Sequence, residues 1–88
     1  MKIHILPNRA HFSNGADSKS FDVSTISSLQ PFVDSIHPLI GGTHSGYHRL
    51  RILEGNQVVH VDGVKDIVDW DQVDSTLWNN LKNELLAL

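Results

Sequence analysis

The residues with the richest chemistry lie between positions 37 and 52, in the stretch HPLIGGTHSGYHRLRI. This stretch holds three of the six histidines in the chain, three of its six glycines, two small hydroxyl side chains, a tyrosine and two arginines. Imidazoles can bind a metal or move a proton, whereas glycine-rich backbone beside arginine can bind an anion. The sequence therefore raises three hypotheses for this stretch, which are a metal site, an anion-binding loop and a polar connection between a helix and a strand, and the polar connection is favoured.

An anion site would use the loop GGTHSG and the strand that follows it. Successive backbone N–H groups of such a loop can surround an oxyanion, and arginine pairs with phosphate or carboxylate. The candidate contacts are Gly42, Thr43, His44, Ser45, Tyr47, His48, Arg49 and Arg51. Phosphate loops lead from a strand into a helix, whereas this loop leads from a helix into a strand. A small-ligand or anion-binding module is therefore an alternative function.

A metal site would start from His44 and His48, which are four positions apart. That spacing places two ligands on one face of a helix, but here a Ser-Gly pair intervenes and the segment enters a strand. His37 and His60 could approach in space, but no carboxylate lies beside His44 or His48 in the sequence to complete a ligand set. We predict no metal and no cofactor. A metal-dependent enzyme built on His44, His48 and His60, with zinc as its ion, is a second alternative.

The sequence contains residue types that can act in catalysis, but their spacing does not match a known catalytic motif. Ser45 lies beside His44, and the chain has ten acidic residues, but adjacency in sequence does not give the geometry of a triad. The acidic motif DWDQVD, residues 69–74, lacks the glycine and the distal glutamate of an EF-hand loop. Its carboxylates are typical of helix caps. We predict no catalytic residue, and a non-catalytic protein is favoured over an enzyme.

Length and charge limit the function further. A chain of 88 residues predicts a single domain over residues 1–88. At this size folding buries only about 60–65% of the surface of the unfolded chain, so the core is modest. The net charge of -3 argues against nucleic acid as a partner, because phosphates are bound by Lys and Arg.

The absence of cysteine excludes disulfide scaffolds, zinc ribbons and thiol nucleophiles. The N-terminal residues MKIHILPNRAH contain no apolar run typical of a signal peptide. No segment approaches the roughly 20 apolar residues of a membrane span. We therefore expect a cytoplasmic location and no membrane partner.

The first half of the chain predicts a strand and a helix. Residues 2–6 alternate, with Ile3 and Ile5 on one side, as in a half-buried strand. Residues 8–20 form either a long exposed loop or, with Asn14-Gly15 as a turn, a hairpin leading to a short strand at residues 20–24. Helical periodicity follows, carried by Ile26, Leu29, Phe32, Val33, Ile36, Leu39 and Ile40.

The start of this helix is ambiguous because of Pro31. Ser24 or Thr25 could cap a helix that bends at Pro31, or a short turn could precede a helix that starts near Pro31. His37-Pro38 and the following Gly41-Gly42 predict where the helix ends.

Two strands flank Gly55-Asn56 and predict a β-hairpin over residues 47–54 and 57–63. If Gly55-Asn56 is the whole turn, each residue of the first strand pairs with the residue of the second strand whose number brings the sum of the two to 111. Leu50 then pairs with Val61, Ile52 with Val59, and Arg51 with His60. A shift of one residue would move every side chain to the opposite face.

The C-terminal part predicts a helix over Ser75–Leu86 with Trp78 in its apolar stripe. Residues 64–70 form a further short strand or the start of a turn. Trp70, between two aspartates at an element boundary, is a candidate anchor for a partner. Leu86 and Leu88 are available to a second copy of the chain, which favours a homodimer over a monomer.

Together these elements predict an α+β fold in which a small antiparallel sheet of three to four strands packs two helices on one face. The other face would carry Lys2, His4, Arg49, Arg51 and His60. Arg51, His60 and Trp70 are therefore the candidate contacts to a protein partner.

The segment VDWDQVDSTLWNNLKNELLAL, residues 68–88, combines capping acids with a Trp/Leu stripe. It resembles the C-terminal ends of small bacteriophage accessory and assembly proteins over about a quarter of the chain. The resemblance implies a phage-type accessory or assembly factor, or an inhibitor of a host protein. The small size, the lack of a catalytic motif, the modest net charge and the apolar C-terminal residues favour, as the first prediction, a small interaction protein that uses the exposed sheet face and the Gly/His-rich loop.

Overall fold

The computed structural model describes residues 1–6, 8–39, 50–55, 57–60 and 65–88, with the backbone alone at 57–60 and 65–67. The strands are β1 (Lys2–Ile5), β2 (Arg9–Asn14), β3 (Asp17–Asp22), β4 (Leu50–Leu53), β5 (Gln57–His60) and β6 (Lys65–Ile67). The helices are α1 (Leu29–Ile36) and α2 (Ser75–Leu86). Single 3₁₀ turns occupy Val23–Thr25, His37–Leu39 and Trp70–Gln72. The strands form an antiparallel sheet in the order β3-β2-β1-β4-β5-β6.

One face of this sheet carries the core. Ile3 lies between Phe12 and Ile52 on the neighbouring strands, and all three side chains are buried. The two helices complete the same core with Leu29, Phe32, Val33, Ile36, Trp78, Leu81 and Leu85. The predicted α+β class, with both helices on one face of an antiparallel sheet, is confirmed.

The sheet is larger than the three to four strands expected from the sequence, because residues 8–20 contribute to a hairpin. Asn14 pairs with Asp17, so that two residues connect β2 to β3. Gly15 in this turn has a φ of 67°, a backbone angle that residues other than glycine rarely adopt. Ala10 and Phe12 of β2 are buried. Of the two alternatives for this segment, the hairpin is the one that forms.

The predicted hairpin forms between β4 and β5, but its register differs from the prediction by one residue. Residues 47–49 and 61–63 of the predicted hairpin lie outside the described residues. The observed partners are Leu50 with His60, Arg51 with Val59, Ile52 with Val58 and Leu53 with Gln57. Three residues therefore separate the paired strands, where the prediction allowed only Gly55-Asn56. Gly55 has a φ of 136°, so the glycine is needed in the connection even though the turn is longer.

Helix α1 starts at Leu29, so neither Ser24 nor Thr25 is its cap. Those two residues belong to the preceding 3₁₀ turn. Pro31 lies in the first turn of α1, where its missing N–H costs no helical hydrogen bond. The helix ends at Ile36, next to the predicted His37-Pro38 stop.

The acidic motif before α2 caps the helical turns, as predicted. The Asp74 carboxylate accepts from the Leu77 N–H at 3.0 Å, and the Asp69 carboxylate accepts from the Asp71 N–H at 3.1 Å. Within the described residues, neither helix has the length and apolar character needed to cross a membrane.

Candidate binding face of the sheet

The sheet face opposite the helices, here called the outer face, carries a row of polar residues. Ser20, His11, His4 and Arg51 occupy mutually opposite positions on β3, β2, β1 and β4. Directly opposite residues in antiparallel strands share a face, with Cβ atoms about 4.5–5.5 Å apart. Lys2 lies two residues from His4 on β1 and therefore on the same face.

Strand alternation explains why these side chains point away from the core. Ile3 and Ile5 are fully buried, which turns Lys2 and His4 to the other side of β1. Lys2, His11 and Arg51 are exposed, and His4 is half-buried between its neighbours. We call Lys2, His4, His11 and Arg51 the cationic cluster.

The electrostatics of His4 reflect this arrangement. Partial burial lowers the pKa of His4, and the positive charges of Arg51, His11 and Lys2 lower the pKa further. Repulsion of a proton from His4 indicates a positive potential across the cluster. The same potential favours the binding of an anion, which in turn would favour protonated His4.

Two further contacts border the cluster. His11 Nδ1 lies 2.7 Å from Ser20 Oγ, which orients the imidazole. Arg9 pairs with Asp22 at 3.0 Å on the same pair of strands. Within the described residues, no carboxylate pairs with Lys2 or Arg51, so their charges are available to a ligand.

The chemistry of the cluster suits an anion better than a metal. His4 and His11 offer two imidazoles on adjacent strands, but Arg51 and Lys2 beside them would repel a cation. In the described part of the chain, no group of three or more His, Cys, Asp or Glu side chains could hold a metal ion.

The predicted site residues are only partly gathered here. Arg51 belongs to the cationic cluster, whereas His60 lies opposite Leu50 and is not the cross-strand partner of Arg51. Trp70 lies on the helical side, half-buried, with its ring edge-on to Trp78 at a centroid distance of 5.3 Å. The structure therefore does not bring Trp70 together with Arg51.

The remaining predicted contacts lie outside the described residues. They are Gly42, Thr43, His44, Ser45, Tyr47, His48 and Arg49. The anion-binding loop and the metal-dependent enzyme both depend on these residues, so both stay predictions.

Sequence reasoning missed His11, because a loop over residues 8–20 was one of the two alternatives. The signal was available, since Ala10 and Phe12 alternate with His11 before the Asn14-Gly15 turn. A hairpin at that turn leaves His11 on the polar face of β2. Pairing β2 with β1 then places His11 opposite His4.

The cluster predicts how the titration of His4 responds to Arg51. Replacing Arg51 by glutamine should raise the pKa of His4, because a neighbouring positive charge is removed. The pKa should stay below its ordinary value, because burial is the larger cause. NMR titration of the imidazole protons measures this change. Lys82→Gln, on α2, is the control and should leave the pKa of His4 unchanged, and an unchanged pKa in Arg51→Gln would contradict the geometry of the cluster.

Comparisons of the chain with protein-family models, with curated proteins and with solved structures each gave no match.

Proposed function

We propose that this chain is a non-catalytic interaction domain that binds a protein partner through the outer face of its sheet. The cationic cluster is the observation that carries this proposal. It sets exposed positive groups side by side in a chain whose net charge is -3. Charge concentrated on one face in this way steers and orients an association with an oppositely charged surface.

The contacts of the outer face support binding more than catalysis. His11 and Ser20 resemble a base next to a hydroxyl nucleophile, but a working pair needs a third group that holds the imidazole and stabilises its positive charge. Among the described residues, His11 has no carboxylate partner, and its neighbour His4 is part of a positively charged cluster. The His11–Ser20 pair therefore lacks the third group that a nucleophile and its base require.

The proposal extends to the setting suggested by the sequence. A phage-type accessory or assembly factor and an inhibitor of a host protein would each act by binding another protein. The cytoplasm is the proposed compartment, because small secreted domains often rely on disulfides and this chain has no cysteine. A homodimer would use the exposed leucines Leu86 and Leu88, at the end of the chain.

Charge reversal at Arg51 tests the proposed function. The chain, immobilised through a C-terminal linker, is used to capture proteins from a lysate of the cells that naturally produce it. Quantitative mass spectrometry compares the wild type with Arg51→Glu. We expect a protein partner whose captured amount falls about threefold in the variant, since an exposed charge pair contributes up to about 1 kcal/mol, which corresponds to about fivefold in affinity.

A matched control separates the outer face from the overall charge. The double variant Gln72→Glu, Asn79→Glu changes the net charge as much as Arg51→Glu does, but at exposed positions on the helical side. It should capture the partner as the wild type does. All three proteins should unfold within about 0.5 kcal/mol of one another, because the changes are at the surface. The proposal is wrong if no captured protein distinguishes Arg51→Glu from the control.

A further inference from the structure

We infer that the cationic cluster binds an acidic peptide segment of the partner, with Arg51 and Lys2 pairing with carboxylates and the imidazoles of His4 and His11 donating hydrogen bonds. This inference rests on the proposed function and specifies the chemistry of the partner. Three of its four groups are exposed, and none of the four has a carboxylate partner within the described residues.

The charged side chains of the outer face are mostly positive. In the part of the chain that the structure describes, its side chains include the cations Lys2, Arg9 and Arg51 and a single carboxylate, Asp22. Asp22 is already paired with Arg9 at 3.0 Å, so it does not neutralise the cluster. Carboxylates of a partner would supply the missing counter-charges.

The spacing of the cluster favours several anionic groups over one. Arg51, His4 and His11 lie on successive strands, which are about 4.8 Å apart, so the row spans roughly 10 Å. Lys2 adds a position roughly 7 Å along β1. A single phosphate or carboxylate reaches only part of this area. Alternate side chains of an extended peptide are also roughly 7 Å apart, so an acidic segment can place a carboxylate at more than one of these groups.

The rest of the molecule disfavours a nucleic acid on the same face. Binding of a long polyanion typically uses on the order of 6–10 phosphate contacts from Lys and Arg. The outer face offers few such side chains, and the helical side carries the acidic residues Asp34, Asp69, Asp71, Asp74 and Glu84. A duplex or a long strand would extend beyond the cluster, and the net negative charge of the chain would oppose it.

The test is a titration of the full chain with hexaglutamate, a peptide blocked at both ends, followed through amide chemical shifts by NMR. Hexaglutamine is the uncharged control peptide. We expect shifts concentrated in β1, β2 and β4 with hexaglutamate and none with hexaglutamine. Arg51→Glu should raise the Kd at least about threefold, because one attraction is lost and a repulsion is added. The variant Gln72→Glu, Asn79→Glu should bind like the wild type.

The pH dependence adds a second readout. Lowering the pH from about 7.5 to about 6 protonates imidazoles while carboxylates stay ionised, so the Kd for hexaglutamate should fall. His4 is surrounded by Lys2 on its own strand, His11 on β2 and Arg51 on β4. The bound carboxylates should raise the pKa of His4, which the same NMR experiment reports.

Two results would overturn the inference. The first is an absence of shifts in β1, β2 and β4 with hexaglutamate, or shifts that the Arg51→Glu variant retains. The second is tighter binding of a hexamer of deoxythymidine than of hexaglutamate, which would assign the cluster to phosphates. If the lysate partner still depends on Arg51 while hexaglutamate fails, the proposed function stands and only the acidic chemistry is wrong. If neither experiment depends on Arg51, both proposals are wrong.

Discussion

Alanine in place of Phe32 is expected to lower the free energy of unfolding by about 3–5 kcal/mol, because it leaves a large cavity between the two helices and the sheet. Phe32 is fully buried in the core. Its ring lies 5.1 Å from the ring of Trp78, and Trp78 in turn contacts Trp70 edge-on at 5.3 Å. Loss of the phenyl ring therefore removes apolar burial and one contact of an aromatic series.

Urea unfolding followed by tryptophan fluorescence measures this effect, since both tryptophans belong to the aromatic series. Phe32→Leu should cost less than Phe32→Ala because it fills more of the space. The exposed α2 variant Asn79→Ala is the control and should change the free energy of unfolding by less than about 0.5 kcal/mol. A cost below about 1 kcal/mol for Phe32→Ala would contradict the packing of α1 described above.

The elements with strong periodicity were predictable from the sequence. Leu81 and Leu85 recur with Trp78 at helical spacing, and all three are buried in α2. Ile3 and Ile5 alternate with polar neighbours, and both are fully buried in β1. In these segments one physical requirement, the burial of an apolar face, is enough to determine the structure.

The details that depend on several segments were not predictable in the same way. Gly55-Asn56 marks a turn, but whether Glu54 belongs to the connection decides the register, and the local sequence allows both. The residues before α1 donate hydrogen bonds to Glu84, which is distant in sequence and lies on α2. His11 becomes part of the cationic cluster only when the β2–β3 hairpin forms and pairs with β1.

Replacing Glu84 by glutamine is expected to cost about 1–2 kcal/mol of unfolding free energy, because the Glu84 carboxylate holds the N-terminus of α1. It accepts from the backbone N–H of Ser28 at 2.9 Å and of Ser27 at 3.1 Å. It also accepts from the Ser28 hydroxyl, which makes no capping bond of its own to α1. No acidic residue lies in the first turn of α1, so Glu84 supplies the negative charge that a helix N-terminus favours.

The pH dependence of this contribution distinguishes the carboxylate from mere side-chain volume. The bonds from Ser28 and Ser27 lower the pKa of Glu84 in the folded chain. The stabilisation is therefore complete above the ordinary pKa of a glutamate and is lost as the pH falls through the lower folded value. Urea unfolding should show a large difference between the wild type and Glu84→Gln at neutral pH, and this difference should shrink in acid.

Two further variants test whether the effect comes from the contact with α1. Asp71→Asn removes one exposed negative charge whose side chain makes no hydrogen bond or ion pair with α1 among the described residues, and it should change stability less than Glu84→Gln does. Ser28→Ala should lower the free energy of unfolding less in the Glu84→Gln background than in the wild type, because the two side chains share one hydrogen bond. If the two substitutions lower the free energy of unfolding additively, Glu84 on α2 does not cap α1. The interaction would then be a surface contact, and α1 would be held by its buried face alone.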